Sequence, residues 1–361
     1  MRHSSIDVLR TIAIIVMVVV HFLENLSGVR EWSPEGFGAP LFTFLTGMSY
    51  RLWLSGQEAK QKESSEISKI TIRRGLFLFG LGFVFNTFVW LPDDLFTWDV
   101  LTFIGASMIV LNVVRGFRIP LMLLTIFIAI GISPVLQHIA GYDAYWANGY
   151  FDYEHTLSDV LLGFLVTGYF PMFPWIAFPI TGFMAGSVIF DRKVRQEIVL
   201  KRTLFIGLAL GALAGATVVF GKLFPASSIA GLLPSWTMYP ASTVYAMGTL
   251  GMTLTLFVIF HRWIDLSRRF DRSQGVLAVA GTFSRHSLSV YLLHHVVHIW
   301  PLWIYGMSVA REPSRYWGNA LPWTISLPLA GAFLILCYFV LRFMQKLETP
   351  TIESLMRWLC D

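Results

Sequence analysis

The stretch Ile6-Asp-Val-Leu-Arg10-Thr-Ile-Ala-Ile-Ile-Val-Met-Val-Val-Val-His21-Phe22 decides how this chain is read. The nine residues between Thr11 and His21 are all aliphatic or Met, so the segment is built for lipid. Arg10 and His21 stand eleven residues apart. That is close to three helical turns, which sends both side chains to one side, roughly 16 Å apart along the axis. Ionisable groups in such a helix are costly and mark functional positions by default. The competing reading is a pair of interfacial anchors, one at each headgroup layer. Spacing alone leaves both readings open.

The rest of the chain shares this character. Of its 361 residues, 55% are hydrophobic, 15% aromatic and only 14% charged, and the mean hydropathy is +0.62. A soluble protein would carry about a quarter charged residues. The fold class is therefore all-α: a polytopic membrane helix bundle, because helices satisfy their backbone polar groups internally in lipid. The net charge of +5 does not point to nucleic acid, since the basic residues are spread over short loops. Cys337 and Cys360 are too few for a disulfide framework, and Cys337 lies in an apolar run. Asp7 and Arg10 interrupt the first segment and no small-x-small cleavage site follows, so the first helix is expected to be retained.

At roughly 20 residues per span, about ten transmembrane helices are expected, near 8–27, 37–54, 72–91, 100–114, 119–140, 169–190, 203–224, 243–261, 285–308 and 322–343. They form a single integral-membrane domain over 1–361, with a polar connector at 55–71, an aromatic loop with a re-entrant piece at 142–168, and a tail at 344–361. One set of loops carries Lys60, Lys62, Lys69, Arg73, Arg74, Arg115, Arg118, Arg192, Lys193, Arg195, Lys201, Arg202, Arg262, Arg268, Arg269 and Arg272, and the tail adds Lys346 and Arg357. The opposite set carries only Arg30, Lys222, Arg311 and Arg315. This asymmetry places both termini in the cytoplasm of a multi-pass protein of the cell (inner or plasma) membrane. Gly207, Gly211 and Gly215 suit homodimer packing or internal packing alike.

Several residues can carry chemistry. Glu24 and Asn25 follow His21 by three and four residues and share its face or the edge of it. A histidine beside a carboxylate makes a serviceable general base. Asn86, Trp90, Asp93, Asp94 and Trp98 cluster near one turn, where carboxylates and indoles suit a sugar, or equally a membrane-surface aromatic belt. The ninth span reads Ser287-Leu-Ser-Val-Tyr291-Leu-Leu-His294-His295-Val-Val-His298. His294 and His298 are four apart on one helix face, but no His-Glu-x-x-His or cysteine partner accompanies them, so a polar stripe within the bundle is preferred and no metal is expected. No P-loop, dinucleotide fingerprint or nucleophile elbow is present.

The opening Ile6-to-Ala13 stretch with its step to His21, then Leu41-Phe-Thr-Phe-Leu-Thr-Gly47 and the late Ser287-to-His294 stretch, resemble the transmembrane acyltransferase superfamily. Pro171-Met-Phe-Pro174-Trp175 through Gly182 and Gly186 resembles the branch of heparan-α-glucosaminide N-acetyltransferase, while the Arg-to-His step is closer to the acyltransferase 3 branch. The resemblance implies transfer of an acyl group, usually acetyl, from cytoplasmic acyl-CoA to an extracytoplasmic glycan acceptor. It implies that His21 matches the essential histidine of the acyltransferase 3 pattern, with Arg10 its partner. The heparan branch carries its catalytic histidine in the loop after the first helix, and this chain has none between Phe22 and Ala39.

On this reading His21, Arg10 and Glu24 are the catalytic candidates. Arg10, Arg51, Arg73 and Arg74 are the candidates for holding the phosphates of acetyl-CoA or another acyl-CoA, since arginine binds phosphate in bidentate fashion. Asn86, Trp90, Asp93, Asp94, Trp98, Tyr291 and His294 are the candidates for the acceptor, with membrane lipid the surrounding partner. The rival class is a secondary transporter or flippase, against which stands the lack of paired, broken-helix repeats.

Overall fold

The computed structural model describes residues 2–29, 36–91, 94–191, 195–224, 235–267 and 275–361. Among them the only β-type pairing is an isolated bridge between Met238 and Ala241. The helices are α1 (Ser4–Ser27), α2 (Gly38–Ala59), α3 (Ser64–Val89), α4 (Val100–Val114), α5 (Ile119–Ala140), α6 (Tyr142–Tyr145), α7 (Leu157–Leu162), α8 (Met172–Trp175), α9 (Ala177–Ile189), α10 (Gln196–Leu223), α11 (Thr243–Phe260), α12 (Gly275–Arg285), α13 (Ser287–Ala310), α14 (Trp323–Lys346) and α15 (Ile352–Cys360). The all-α polytopic class read from composition is the class observed.

Fewer than ten helices among the described residues have the length and apolarity of a span. Seven helical segments are long and apolar enough to cross a membrane, or up to eight if α12 and α13, bent by 77°, make one broken span. The difference lies in α2, which is long but carries Thr46, Ser49, Arg51, Ser55 and Glu58, and in α4, which is apolar but has 15 residues. Helix boundaries also move. The connector expected over 55–71 is mostly helical, because α2 runs to Ala59 and α3 starts at Ser64. Residues 157–166, read from sequence as an interfacial or re-entrant piece, fall on α7 and the π-helical turn Gly163–Thr167, within an apolar segment that reaches Ile189.

The chain forms two compact units: Pro40–Asn86 with Pro92–Ile259, and Arg2–Ala39 with Thr87–Leu91 and Phe260–Asp361. In the first, α2 and α9 meet backbone to backbone. A Cβ on Gly47 would lie 1.8 Å from the Pro179 carbonyl oxygen, and one on Gly182 would lie 1.9 Å from that of Phe44. Gly207 of α10 meets α11 in the same way, 2.9 Å from the Gly251 carbonyl oxygen, so it serves internal packing. The aromatic loop after α5 folds on itself. Trp146 stacks on Tyr142 and Tyr239, with centroids 5.7 and 5.0 Å away, and donates its indole N–H to the Thr167 carbonyl. Tyr145 donates to Asp159 at 3.0 Å. Partial burial, and then this hydrogen bond, push its phenol up to about 12.

In the second unit α1 packs against α12, α13 and α14. Thr11 donates to the Ala280 carbonyl of α12, and Ser27 pairs with Ser326 of α14. Gly28 closes α1 in a left-handed conformation (φ 65°) that L side chains avoid, and its N–H bonds back to Glu24. The segment after α13 then lies over this helix end. Gly318 N–H donates to the Asn25 carbonyl at 2.8 Å and Leu321 N–H to that of Leu26 at 2.9 Å, satisfying carbonyls that the helix itself leaves orphaned. Trp300 and Trp303 of α13 likewise donate to the Phe88 and Val89 carbonyls at the end of α3. These contacts fix α1, the last turn of α3 and α13 around one polar cluster.

Candidate active site

Four imidazoles form that cluster. His21 comes from α1, and His294, His295 and His298 from α13. The three on α13 are 0%, 2% and 4% exposed. His21 is half-buried. Its ring lies parallel to that of His294, with centroids 5.2 Å apart, and 4.6 Å from the ring of His295.

The hydrogen bonds fix the tautomers of the neutral rings. His294 Nδ1 sits 3.1 Å from the Val290 carbonyl oxygen, and His295 Nδ1 sits 3.1 Å from that of Tyr291. His298 Nδ1 sits 2.5 Å from that of His294. A carbonyl oxygen only accepts, so each Nδ1 carries its hydrogen and each Nε2 a lone pair. His294 Nε2 lies 2.9 Å from His21 Nδ1. His21 Nδ1 therefore donates, and His21 Nε2 is left with the lone pair. A base whose second nitrogen is held by another side chain is the arrangement that general-base catalysts use.

A second chain of bonds anchors the far end of the cluster. The Trp317 indole N–H can only donate, and it meets Asn25 Oδ1 at 3.0 Å. This orients the amide, so Asn25 Nδ2 donates to His298 Nε2 at 2.9 Å. Trp317→Phe removes the donor that orients the amide. The expected effect is a loss of about 0.5–1.5 kcal/mol of stability, checked by thermal unfolding of the detergent-solubilised protein.

The structure sorts the sequence candidates. Trp90 and Tyr291 join the cluster. The Trp90 ring stands edge-on to His295 at 5.6 Å, and the Tyr291 ring lies 5.7 Å from His294 and 5.2 Å from His295. Glu24, read from sequence as the partner of His21, is half-buried on α1, whereas the hydrogen-bond partner of His21 is His294. Arg10 lies three turns away, where its guanidinium donates to Ser284 Oγ at 3.0 Å. Arg2 grips both oxygens of Asp7 at 2.7 and 3.0 Å.

Asn86 and Trp98 belong to the other unit and serve packing there. Asn86 donates to the Leu95 carbonyl and to Thr97, which ties down the turn after α3. Trp98 is 5% exposed, wedged among Phe79, Phe83, Phe96 and Phe164, and does not present a face to a sugar. Asp94 is half-buried beside that turn, and Asp93 lies outside the described residues. Arg51 pairs with Glu58 at 3.1 Å, Arg74 stacks over Trp53 at 5.0 Å, and Arg73 is exposed. A cavity of about 450 Å³ in this unit is lined by the apolar side chains of Leu136, Ile139, Leu162, Leu165, Val166 and Phe173.

Sequence reading named His294 and Tyr291 as candidates and left His295, His298, Asn25 and Trp317 out of the site, although it set Asn25 on the face of His21 and His298 with His294 on one polar stripe. The signal for the first three was present in the chain. His-His-x-x-His on one apolar helix, and an amide one turn beyond a histidine on another, are both costly in lipid unless they meet partners. Nothing local marks Trp317.

Helices apolar enough for several membrane crossings define a multi-pass membrane protein, and one of its units holds a cluster of four imidazoles. The family model for the heparan-α-glucosaminide N-acetyltransferase catalytic domain matches residues 2–215, more than half of the chain, and the chain belongs to that family. It is an acyltransferase of the membrane. The match takes in His21, while His294, His295 and His298 lie beyond it. No curated sequence matches the chain.

Proposed function

We propose that this protein transfers an acyl group, acetyl in the first instance, from acyl-CoA on the cytoplasmic side to a hydroxyl or amine of an extracytoplasmic glycan, with His21 as general base. The observation that carries this reading is the His21 Nδ1 to His294 Nε2 hydrogen bond of 2.9 Å. It holds His21 in the tautomer whose lone pair is on Nε2. Family membership supports the acetyl donor.

The step balances as a direct transfer. His21 Nε2 takes the acceptor proton as the acceptor oxygen or nitrogen bonds to the thioester carbonyl carbon. The tetrahedral intermediate collapses by breaking the carbon–sulfur bond, and the departing CoA thiolate recovers the proton from the imidazolium. While the charge lasts, His294 Nε2 accepts from His21 Nδ1 and stabilises it, the part that a carboxylate plays in a catalytic triad. Trp90 and Tyr291 are proposed to shape the acceptor side of the cluster. Arg51, Arg73 and Arg74 are proposed phosphate ligands for CoA, because guanidinium forks match phosphate oxygens.

The test uses purified protein in nanodiscs with radiolabelled acetyl-CoA, together with mass spectrometry of surface glycans from cells with and without the protein. The expected results are saturable acetyl-CoA binding and an acetyl difference at a defined glycan position. Absence of acetyl-CoA binding together with unchanged surface glycans overturns the enzyme reading in favour of a transporter or flippase.

A further inference from the structure

Beyond α14 the chain turns at 347–351 and forms α15, which lies against the first turn of α13 and leaves an apolar face uncovered. We propose that α15, with Arg285, Arg342 and Arg357, is a docking surface for anionic phospholipid of the surrounding membrane. The apolar edge of α15 enters the acyl boundary, and the guanidinium groups take the headgroup phosphates. All of these residues belong to one compact unit.

The two faces of α15 are sorted by its sequence. Leu355, Trp358 and Leu359 recur at three- and four-residue steps, which puts them on one side of the helix. All three are exposed, Trp358 to 79%. Glu353 and Cys360 lie on the other side and face the protein. Cys360 is buried, and Glu353 accepts from the Ser289 N–H at 2.9 Å and from Ser289 Oγ at 2.7 Å. A capping box between Thr351 and Ser354 fixes the start of the helix. The apolar side is therefore held outward. α14 is long and apolar enough to cross a membrane, and Phe343 and Leu347 near its end are exposed, so apolar surface that the protein leaves uncovered continues along the chain from α14 into α15. A helix with Trp and Leu on one side and charge on the other lies in the interface plane, the depth at which tryptophan concentrates.

Guanidinium groups gather where α12 bends by 77° into α13. Arg285 ends α12, Arg342 lies in the last turns of α14 and Arg357 on α15, and all three are exposed. Arg285 has Arg2, Arg342 and Asp7 within Coulombic range, three guanidinium groups against one carboxylate that Arg2 already grips. Arg357 and Arg285 lie within the same range of His286, where the carboxylate is Glu353, held by Ser289. Arg285 donates its Nε–H to the Gly281 carbonyl at 2.9 Å, which orients its fork. Such forks match phosphate oxygens. On the loop-charge reading this end of the bundle meets the cytoplasmic leaflet, where anionic lipid resides.

The test places the full chain in nanodiscs of phosphatidylcholine with and without phosphatidylglycerol. A nitroxide on Trp358→Cys reads depth by power saturation against oxygen, which partitions into lipid, and a nickel chelate, which stays in water. A nitroxide on Glu348→Cys is the aqueous reference, and the native Cys337 and Cys360 are buried away from the label. The expected result is a label at the headgroup boundary for position 358 and in water for 348. Native mass spectrometry of protein released from the mixed discs should find phosphatidylglycerol retained over phosphatidylcholine. Arg285→Gln, Arg342→Gln and Arg357→Gln should each lower that preference about fivefold, the worth of one cation near an anionic surface. A label at 358 as open to water as that at 348 overturns the proposal, and this readout needs no arginine variant to fold. Equal retention of the two lipids by the wild type overturns it too, as does a preference that survives the three substitutions together. Displacement of the retained phosphatidylglycerol by acetyl-CoA assigns the arginines to the phosphates of a soluble nucleotide and equally overturns it.

Discussion

Replacing His21 by alanine is expected to abolish acyl transfer while leaving a folded protein in the membrane. Removal of a general base typically costs about 10²–10⁴-fold in rate. Truncation leaves the buried His294 Nε2 without its donor, a cost of about 1–3 kcal/mol in stability that the measurement separates from activity by scoring folded protein first. The measurement is the single-turnover rate with radiolabelled acetyl-CoA, together with acetyl-CoA binding, which should survive. Wild-type turnover in His21→Ala removes the imidazole from the mechanism.

The same experiment separates a base from a mere packing residue when His294 is varied. His294→Leu removes the acceptor for His21 Nδ1–H, an interaction observed at 2.9 Å. Loss of such a buried bond corresponds to a rate loss of roughly ten- to hundredfold. His294→Gln offers a carbonyl oxygen in its place and should recover part of that loss, with substrate binding unchanged in both. Equal rates in the leucine and glutamine variants would show that the tautomer of His21 is set by something else.

The second large effect is on the fold. Gly182→Val drives a side chain into the Phe44 backbone, because even a Cβ on Gly182 would stand 1.9 Å from that carbonyl oxygen. Overpacking in a core ordinarily costs about 1–3 kcal/mol, and a backbone oxygen cannot rotate aside as a side chain can. Gly182→Val, and Gly47→Val against the Pro179 carbonyl at 1.8 Å, should therefore fail to yield a monodisperse protein. Gly131→Ala, whose Cβ meets nothing within 4 Å, is the control and should behave as wild type in size-exclusion chromatography. Normal behaviour of Gly182→Val would mean that α2 and α9 are farther apart than described.

Much of this was legible in the chain because it depends on local composition. The aliphatic run between Thr11 and His21 dictates α1 whatever surrounds it. Gly47, a small residue in an apolar stretch, is a packing position of the kind that lets helices approach closely. Boundaries were less legible, because α2 and α3 carry polar and charged residues that continue a helix beyond its apolar part. The candidates after α3 diverged for a reason that spacing does not contain. Asn86, Trp90 and Trp98 look equivalent as outward polar and aromatic groups, yet Trp90 meets His295 while Trp98 is packed among phenylalanines. Glu24 and Asn25 were nearly interchangeable on α1 until Trp317 and His298 selected the amide.

The sequence by itself determined that the protein lives in lipid, that its backbone is helical, and that an imidazole and a guanidinium share one face of the first helix, since these follow from hydropathy and a period of 3.6 residues. Only the tertiary structure decided which nitrogen of His21 holds the lone pair. That depends on an acceptor 273 residues further along the chain, and a hydrogen bond of 2.9 Å exists only once the packing of α1 against α13 has placed both rings.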